Sequence, residues 1–175
     1  MPPADEHTPT RDATPFWRFS LALYGRPGVP PACLALQDEA GIDVNVLLFV
    51  LFLADRGRRL DATDVARIDA MTAAWRADVV RPLRGVRRAL KDRPAPFGGQ
   101  TTEALRTRVK RIELESERIQ QETIEAAFPA ARTGAPEPSR EAAARANVAA
   151  YAAVAGTLPD AAVRLILDAF ATGTA

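Results

Sequence analysis

The chain has 175 residues and a mass of 18.9 kDa, enough for one domain that buries roughly two-thirds of its unfolded surface without disulfide or metal staples. Its 23 basic and 22 acidic side chains leave a net charge of +1, which excludes a global attraction to polyanions and makes any charge-based function local. Cys33 is the one cysteine and His7 the one histidine, which excludes an intrachain disulfide, Ser-His-Asp and Cys-His nucleophilic sites and the paired Glu-x-x-His motifs of di-iron bundles.

Residues 1–14 are rich in Pro, Thr, Asp and Ala and read as a disordered lead-in. Asp5 and Glu6 stand where a secretory signal would need an apolar run, so a cytoplasmic protein is expected. Strand signals are nearly absent, and the class is all-α. A first helix runs from Thr14 or Pro15 to Tyr24 and ends at Gly25. Gly28 to Ala40 forms a second, with Pro30 and Pro31 in its first turn, where no intrahelical bond is lost. Gly41 suits the left-handed residue that ends it, and Asp43 suits the N-cap of a third helix, Val44 to Asp55. This helix is apolar on nearly every face and should be the one the others surround. Its apolar run falls well short of the ~20 residues of a membrane span.

From Asp61 a long amphipathic helix carries Val65, Ile68, Thr72, Trp75, Val79, Leu83, Val86 and Leu90 at steps of three and four. Pro82 predicts a kink or break in it near Val80 to Arg81. After a loop from Arg93 to Gly99, Thr101 caps a helix that reaches Phe128. Its stripe of Leu105, Val109, Ile112, Ser116, Ile119 and Thr123 predicts antiparallel packing on the preceding helix. Gly98-Gly99, between prolines and a helix start, reads as a turn rather than a phosphate loop. Pro129 to Ser139 reads as a linker, and residues 140–175 as an Ala-rich helical tail over Arg140 to Ala155 and Pro159 to Ala171. Small side chains bury little area, so this tail is expected to dock loosely on the 15–128 core or on another chain. The architecture predicted is a single-domain bundle of six or seven helices around the central apolar one.

Trp17-Arg18-Phe19-Ser20-Leu21, Tyr24, Val29, Cys33-Leu34-Ala35-Leu36-Gln37-Asp38 and Gly41-Ile42-Asp43-Val44-Asn45-Val46-Leu47-Leu48-Phe49 resemble a small proteobacterial family of uncharacterised helical proteins. A weaker likeness extends over residues 75–91 and 105–117. The resemblance implies an intracellular bacterial protein, and no activity, cofactor or site residue travels with it.

Three groups of residues are candidates for function. Gln37, Asp38, Asp43 and Asn45 form a polar cluster between two apolar helices; they either cap and orient the helix junction or line a site for a small ligand. Residues 76–93 hold seven basic side chains against two acidic ones, and Arg81, Arg84, Arg88 and Lys91 share one helix face, with Arg87 beside them. This stripe either pairs with the glutamates of the next helix, Glu113, Glu115, Glu117, Glu122 and Glu125, or binds an acidic protein or, less favoured without interleaved aromatics, nucleic acid. Glu113, Glu117 and Glu122 read as an ion-paired face rather than a metal or acid/base set. Cys33 reads as a small buried hydrophobe. The expectation is a non-catalytic binding or adaptor protein without cofactor or metal, engaging a protein partner or a second copy of itself. The alternative is a bundle that binds a small apolar ligand near Gln37, Asp43 and Asn45, and the third reading is a nonspecific nucleic-acid binder.

Overall fold

Proline, glycine and one aspartate punctuate the first three helices. Helix α1, Pro15–Tyr24, starts with Pro15 in its first turn and the Thr14 hydroxyl accepting from the Trp17 N–H at 3.3 Å. Helix α2, Val29–Ala40, ends at Gly41, whose φ of +65° is left-handed. The Asp43 carboxylate then accepts from the Asn45 N–H at 2.9 Å and starts α3, Val44–Asp55. Every residue of α3 from Asn45 to Ala54 is buried, so it is the central helix that its sequence predicts. The computed structural model describes residues 13–173. The lead-in, but for Ala13 and Thr14, lies outside the described residues.

Helix α4, Ala62–Trp75, opens with a reciprocal capping box between Asp61 and Asp64. The kink or break expected near Val80 to Arg81 takes the form of a π turn. The rod widens into a π turn, Arg76–Val80, and runs on as α5, Arg81–Ala89. Pro82 has no N–H and its ring collides with the carbonyl four residues back in a regular α-helix. The π turn absorbs this misfit with one extra residue, the Arg81 N–H reaching the Arg76 carbonyl five residues back.

Helix α6, Gln100–Ala127, lies beside α5 and starts after Gly99, not at a Thr101 cap. Its buried face also differs from the predicted stripe. Val109, Glu113, Ser116, Gln120, Gln121 and Ile124 point inward, while Leu105, Ile112 and Ile119 remain roughly half exposed. Polar partners decide this rotation. Leaving buried Asp43 and Asn45 and the arginines of α5 unmatched costs roughly 1–3 kcal/mol per group, more than the fraction of ~1.5–3 kcal/mol lost by each half-covered Leu or Ile.

The Ala-rich tail is not loosely docked. Helix α7, Arg140–Ala155, lies along α3 with Ala143, Ala144, Asn147, Val148 and Tyr151 buried. Small side chains here permit close backbone approach, and Asn147 and Tyr151 supply the polar anchors. Helix α8, Asp160–Thr172, covers α2 and buries Ile166 and Phe170. Arg140 ties the tail in, meeting Asp55 at 2.7 Å and lying 3.8 Å over the Phe170 ring. The linker also contributes structure: strand β2, Ala135–Pro136, pairs antiparallel with β1, Arg58–Arg59, in the register Arg58 with Pro136 and Arg59 with Ala135. Gly134, at φ +69°, admits this pairing, since a Cβ there would stand 2.5 Å from the Arg59 carbonyl oxygen.

Among the described residues, α4 and α5 form one rod through the π turn, so seven helical rods make an all-α single-domain bundle around α3. Phe16, Phe49 and Phe52 meet at its centre, Phe16 standing edge-on to Phe49 with ring centroids 4.9 Å apart. No helix among the described residues is long and apolar enough to cross a membrane.

A candidate ligand pocket

A pocket of about 570 Å³ opens where α1, α2, α5 and α6 meet over the start of α3. Each wall follows from a local feature of the sequence. The Gly41 turn and the Asp43 cap bring the α2–α3 junction to the rim, and the π turn swings Arg76 and Val80 toward it. The polar inward face of α6 supplies Glu113, Glu117 and Gln121, and α1 supplies Trp17, Ser20 and Tyr24. A cavity of this size, in which apolar side chains meet convergent polar groups, is of the kind that takes a small molecule.

The polar cluster read from sequence divides in two. Asp43 and Asn45 are buried at the base of the pocket, joined by Gln120 and Gln121. Gln120 donates to Asp43 Oδ2 at 2.6 Å and accepts from Asn45 Nδ2 at 3.0 Å, while Gln121 Nε2 donates to Asn45 Oδ1 at 2.8 Å. Arg76 Nη1 reaches Asp43 Oδ2 at 3.1 Å and Asp69 Oδ1 at 2.7 Å. Tyr151 closes the network from α7, its hydroxyl accepting from the Asp43 N–H at 2.9 Å and donating to the Asp43 carbonyl at 3.1 Å. Gln37 lines the pocket, whereas Asp38 lies on the surface and pairs with Arg88 at 2.8 Å. The hydrogen bond from Arg88 holds the Asp38 carboxyl below its ordinary value.

The basic stripe is drawn into contacts within the chain. Arg84 meets Glu113 at 2.9 Å and Glu117 at 2.6 Å, and Arg87 grips the same Glu113. Arg81 donates to the Gly41 carbonyl at 3.2 Å, at the C-terminal end of α2 where a cation is favoured. Lys91 is largely exposed, 3.8 Å from Asp92. Of the other glutamates, Glu125 accepts from the Phe16 N–H, Glu122 meets Arg118 at 2.8 Å, and Glu115 is exposed.

Burial alone would raise the Glu113 carboxyl, but the hydrogen bonds and charges of Arg87 and Arg84 outweigh it and hold the group below the usual glutamate range. For Glu117, burial wins over Arg84 and the carboxyl is raised. A group whose folded pKa is depressed stabilises the fold above its unfolded pKa and loses that contribution as pH falls through the folded value. Glu113→Gln should therefore shrink the fall in melting temperature between about pH 6 and about pH 3, measured by circular dichroism. An unchanged acid limb would remove Glu113 from the acid response.

Burial pushes the Cys33 thiol up to about 12, so it lies in the wall as a neutral thiol. Among the described residues, no group of three or more His, Cys, Asp and Glu side chains converges as metal ligands would. Two polar atoms stand out instead. Ser20 Oγ and Gln121 Oε1 are buried in the pocket wall without a hydrogen-bond partner. Sequence reading does not find Ser20, Gln120, Gln121 or Tyr151 as site residues. The available signal is the four-residue spacing of Ser116, Gln120 and Ile124, which places polar and apolar groups on one face.

The fold and this pocket define an all-α bundle with a built polar-floored cavity. The chain belongs to the family described as protein of unknown function (DUF2390), whose model matches residues 15–124. All of the pocket-lining residues fall inside that match, while α7 and α8 fall outside it. No curated protein and no solved structure matches the chain significantly.

Proposed function

We propose that the protein binds a small, mainly apolar molecule that carries a hydroxyl or amide group. The observation that supports this reading is the pair of unpartnered buried polar atoms, Ser20 Oγ and Gln121 Oε1, in a cavity of about 570 Å³ whose apolar wall faces polar and charged side chains that pair with one another. An unsatisfied buried polar group costs roughly 1–3 kcal/mol. A ligand hydroxyl offers Gln121 Oε1 a donor and gives Ser20 Oγ a partner, while Trp17, Tyr24, Leu48 and Val80 take its apolar body. The stripe at Arg81, Arg84, Arg87, Arg88 and Lys91 favours a protein or polynucleotide partner less, because Arg84 and Arg87 are spent on Glu113 and Glu117.

The test is a thermal-shift series with medium-chain and cyclic alcohols, compared with alkanes of matched size. A ligand bound at 100 times its dissociation constant adds ~2.7 kcal/mol to stability, a shift of several degrees in a domain of this size. Alcohols should raise the melting temperature and matched alkanes should not. Ser20→Ala removes an unsatisfied hydroxyl, so the free variant should melt at or slightly above the wild-type temperature while losing much of the alcohol shift. Equal shifts in wild type and variant, or none with any alcohol, would reject the reading.

A further inference from the structure

Helix α6 carries a second surface, separate from the pocket. Leu105, Ile112 and Ile119 stand one heptad apart and are 42 %, 51 % and 44 % exposed, and none of them lines the pocket. Residues seven apart drift by only ~20° around an α-helix, so these three make one stripe about 21 Å long. Arg108 lies between the first two and Glu115 between the last two. Both are exposed, and neither has a hydrogen bond or ion pair among the described residues.

This order is its own complement when reversed. With a second α6 turned end for end about Ile112, Leu105 of each copy falls opposite Ile119 of the other, and Ile112 meets Ile112. Arg108 then falls within one residue of Glu115 across the axis, twice by symmetry. A parallel copy in register would set Arg108 against Arg108 and Glu115 against Glu115. The charges therefore select an antiparallel second copy, and they reject the parallel arrangement.

We propose that this face is a two-fold interface between two copies of the chain, antiparallel along α6. The apolar stripe supplies the attraction, and the two Arg108–Glu115 pairs at its rim set orientation more than affinity. Rim pairs of this kind contribute at most ~1 kcal/mol each, so turning both from attractive to repulsive should weaken association roughly tenfold.

Analytical ultracentrifugation of the full chain at rising concentration tests this. Wild type should move from 18.9 kDa toward twice that mass. Ile112→Glu should stay monomeric with an unchanged thermal melt, since the side chain is half exposed in one copy. Arg108→Glu and Glu115→Arg should each self-associate about tenfold more weakly. An equimolar mixture of these two variants should recover the wild-type affinity, because each copy then offers a single charge sign to the other. A monomeric wild type, a dimer that survives Ile112→Glu, or a mixture no tighter than its components would each overturn the proposal.

Discussion

Asn147→Ala should lower the unfolding free energy by about 3–5 kcal/mol, a loss out of proportion to the small volume removed. Asn147 is fully buried on α7, and all of its side-chain hydrogen bonds go to backbone. Its amide nitrogen donates to the carbonyls of Val50 and Arg58 at 2.9 Å each, and its oxygen accepts from the Leu60 N–H at 2.7 Å. One residue thereby satisfies α3, β1 and the residue after it. Truncation leaves the buried Leu60 N–H and the part-buried Arg58 carbonyl without this partner, each costing roughly 1–3 kcal/mol, and takes from the Val50 carbonyl its second donor beside the α3 ladder. Asn147→Asp gives a second check, because a carboxylate keeps the acceptor but turns an oxygen toward two carbonyls. Both variants should lose stability in urea titrations, with the aspartate worse at neutral pH than in acid. A loss under about 1 kcal/mol for Asn147→Ala would mean that the Leu60 N–H and the Arg58 carbonyl find other partners.

Asp43→Ala should cost about 3–5 kcal/mol by a different route. The carboxylate starts the central helix and accepts from Gln120 and Arg76 in a setting with little water. Its removal leaves the Asn45 N–H uncapped and the Gln120 amide unpaired, while Arg76 retains only its Asp69 side of the bridge. Asp43→Asn keeps an oxygen for the cap and surrenders the charge, so it should lose about half as much. Chemical denaturation of both variants beside wild type measures the difference. Equal losses would show that the Arg76 bridge matters and the cap does not; losses below about 1 kcal/mol in both would remove Asp43 as a hub.

Much of the fold is legible in the sequence where one residue type has one physical job. Pro15, Gly41 and Asp43 mark the ends of α1 to α3, and the unbroken apolar run of α3 marks its place at the centre. Legibility ends where polar side chains pair at long range. The inward face of α6 cannot be told from apolar periodicity, because its burial is decided by Asp43, Asn45 and Arg84 on other elements. Pro82 signals a local disturbance, yet the proline alone does not tell that it takes the form of a π turn in which Arg76 reaches Asp43 and Asp69. The α7 alanines mislead for a related reason: their small area suggests weak docking, while Asn147 and Tyr151 on the same face fasten them to α3. Of the candidate site, Asp43, Asn45 and Gln37 are visible from sequence. The unpartnered Ser20 and Gln121 belong to the three-dimensional arrangement alone.

The close seat of α7 along α3 also constrains how the protein is made. The central helix is complete at Asp55, but the helix that lies along it is not complete until Ala155, 100 residues later. At a ribosomal rate of ~5–20 residues per second, that interval lasts roughly 5–20 s. Throughout it the nascent chain carries the most apolar helix of the protein with one flank bare, which favours temporary shielding by chaperones and makes slow synthesis of the last third a hazard for aggregation.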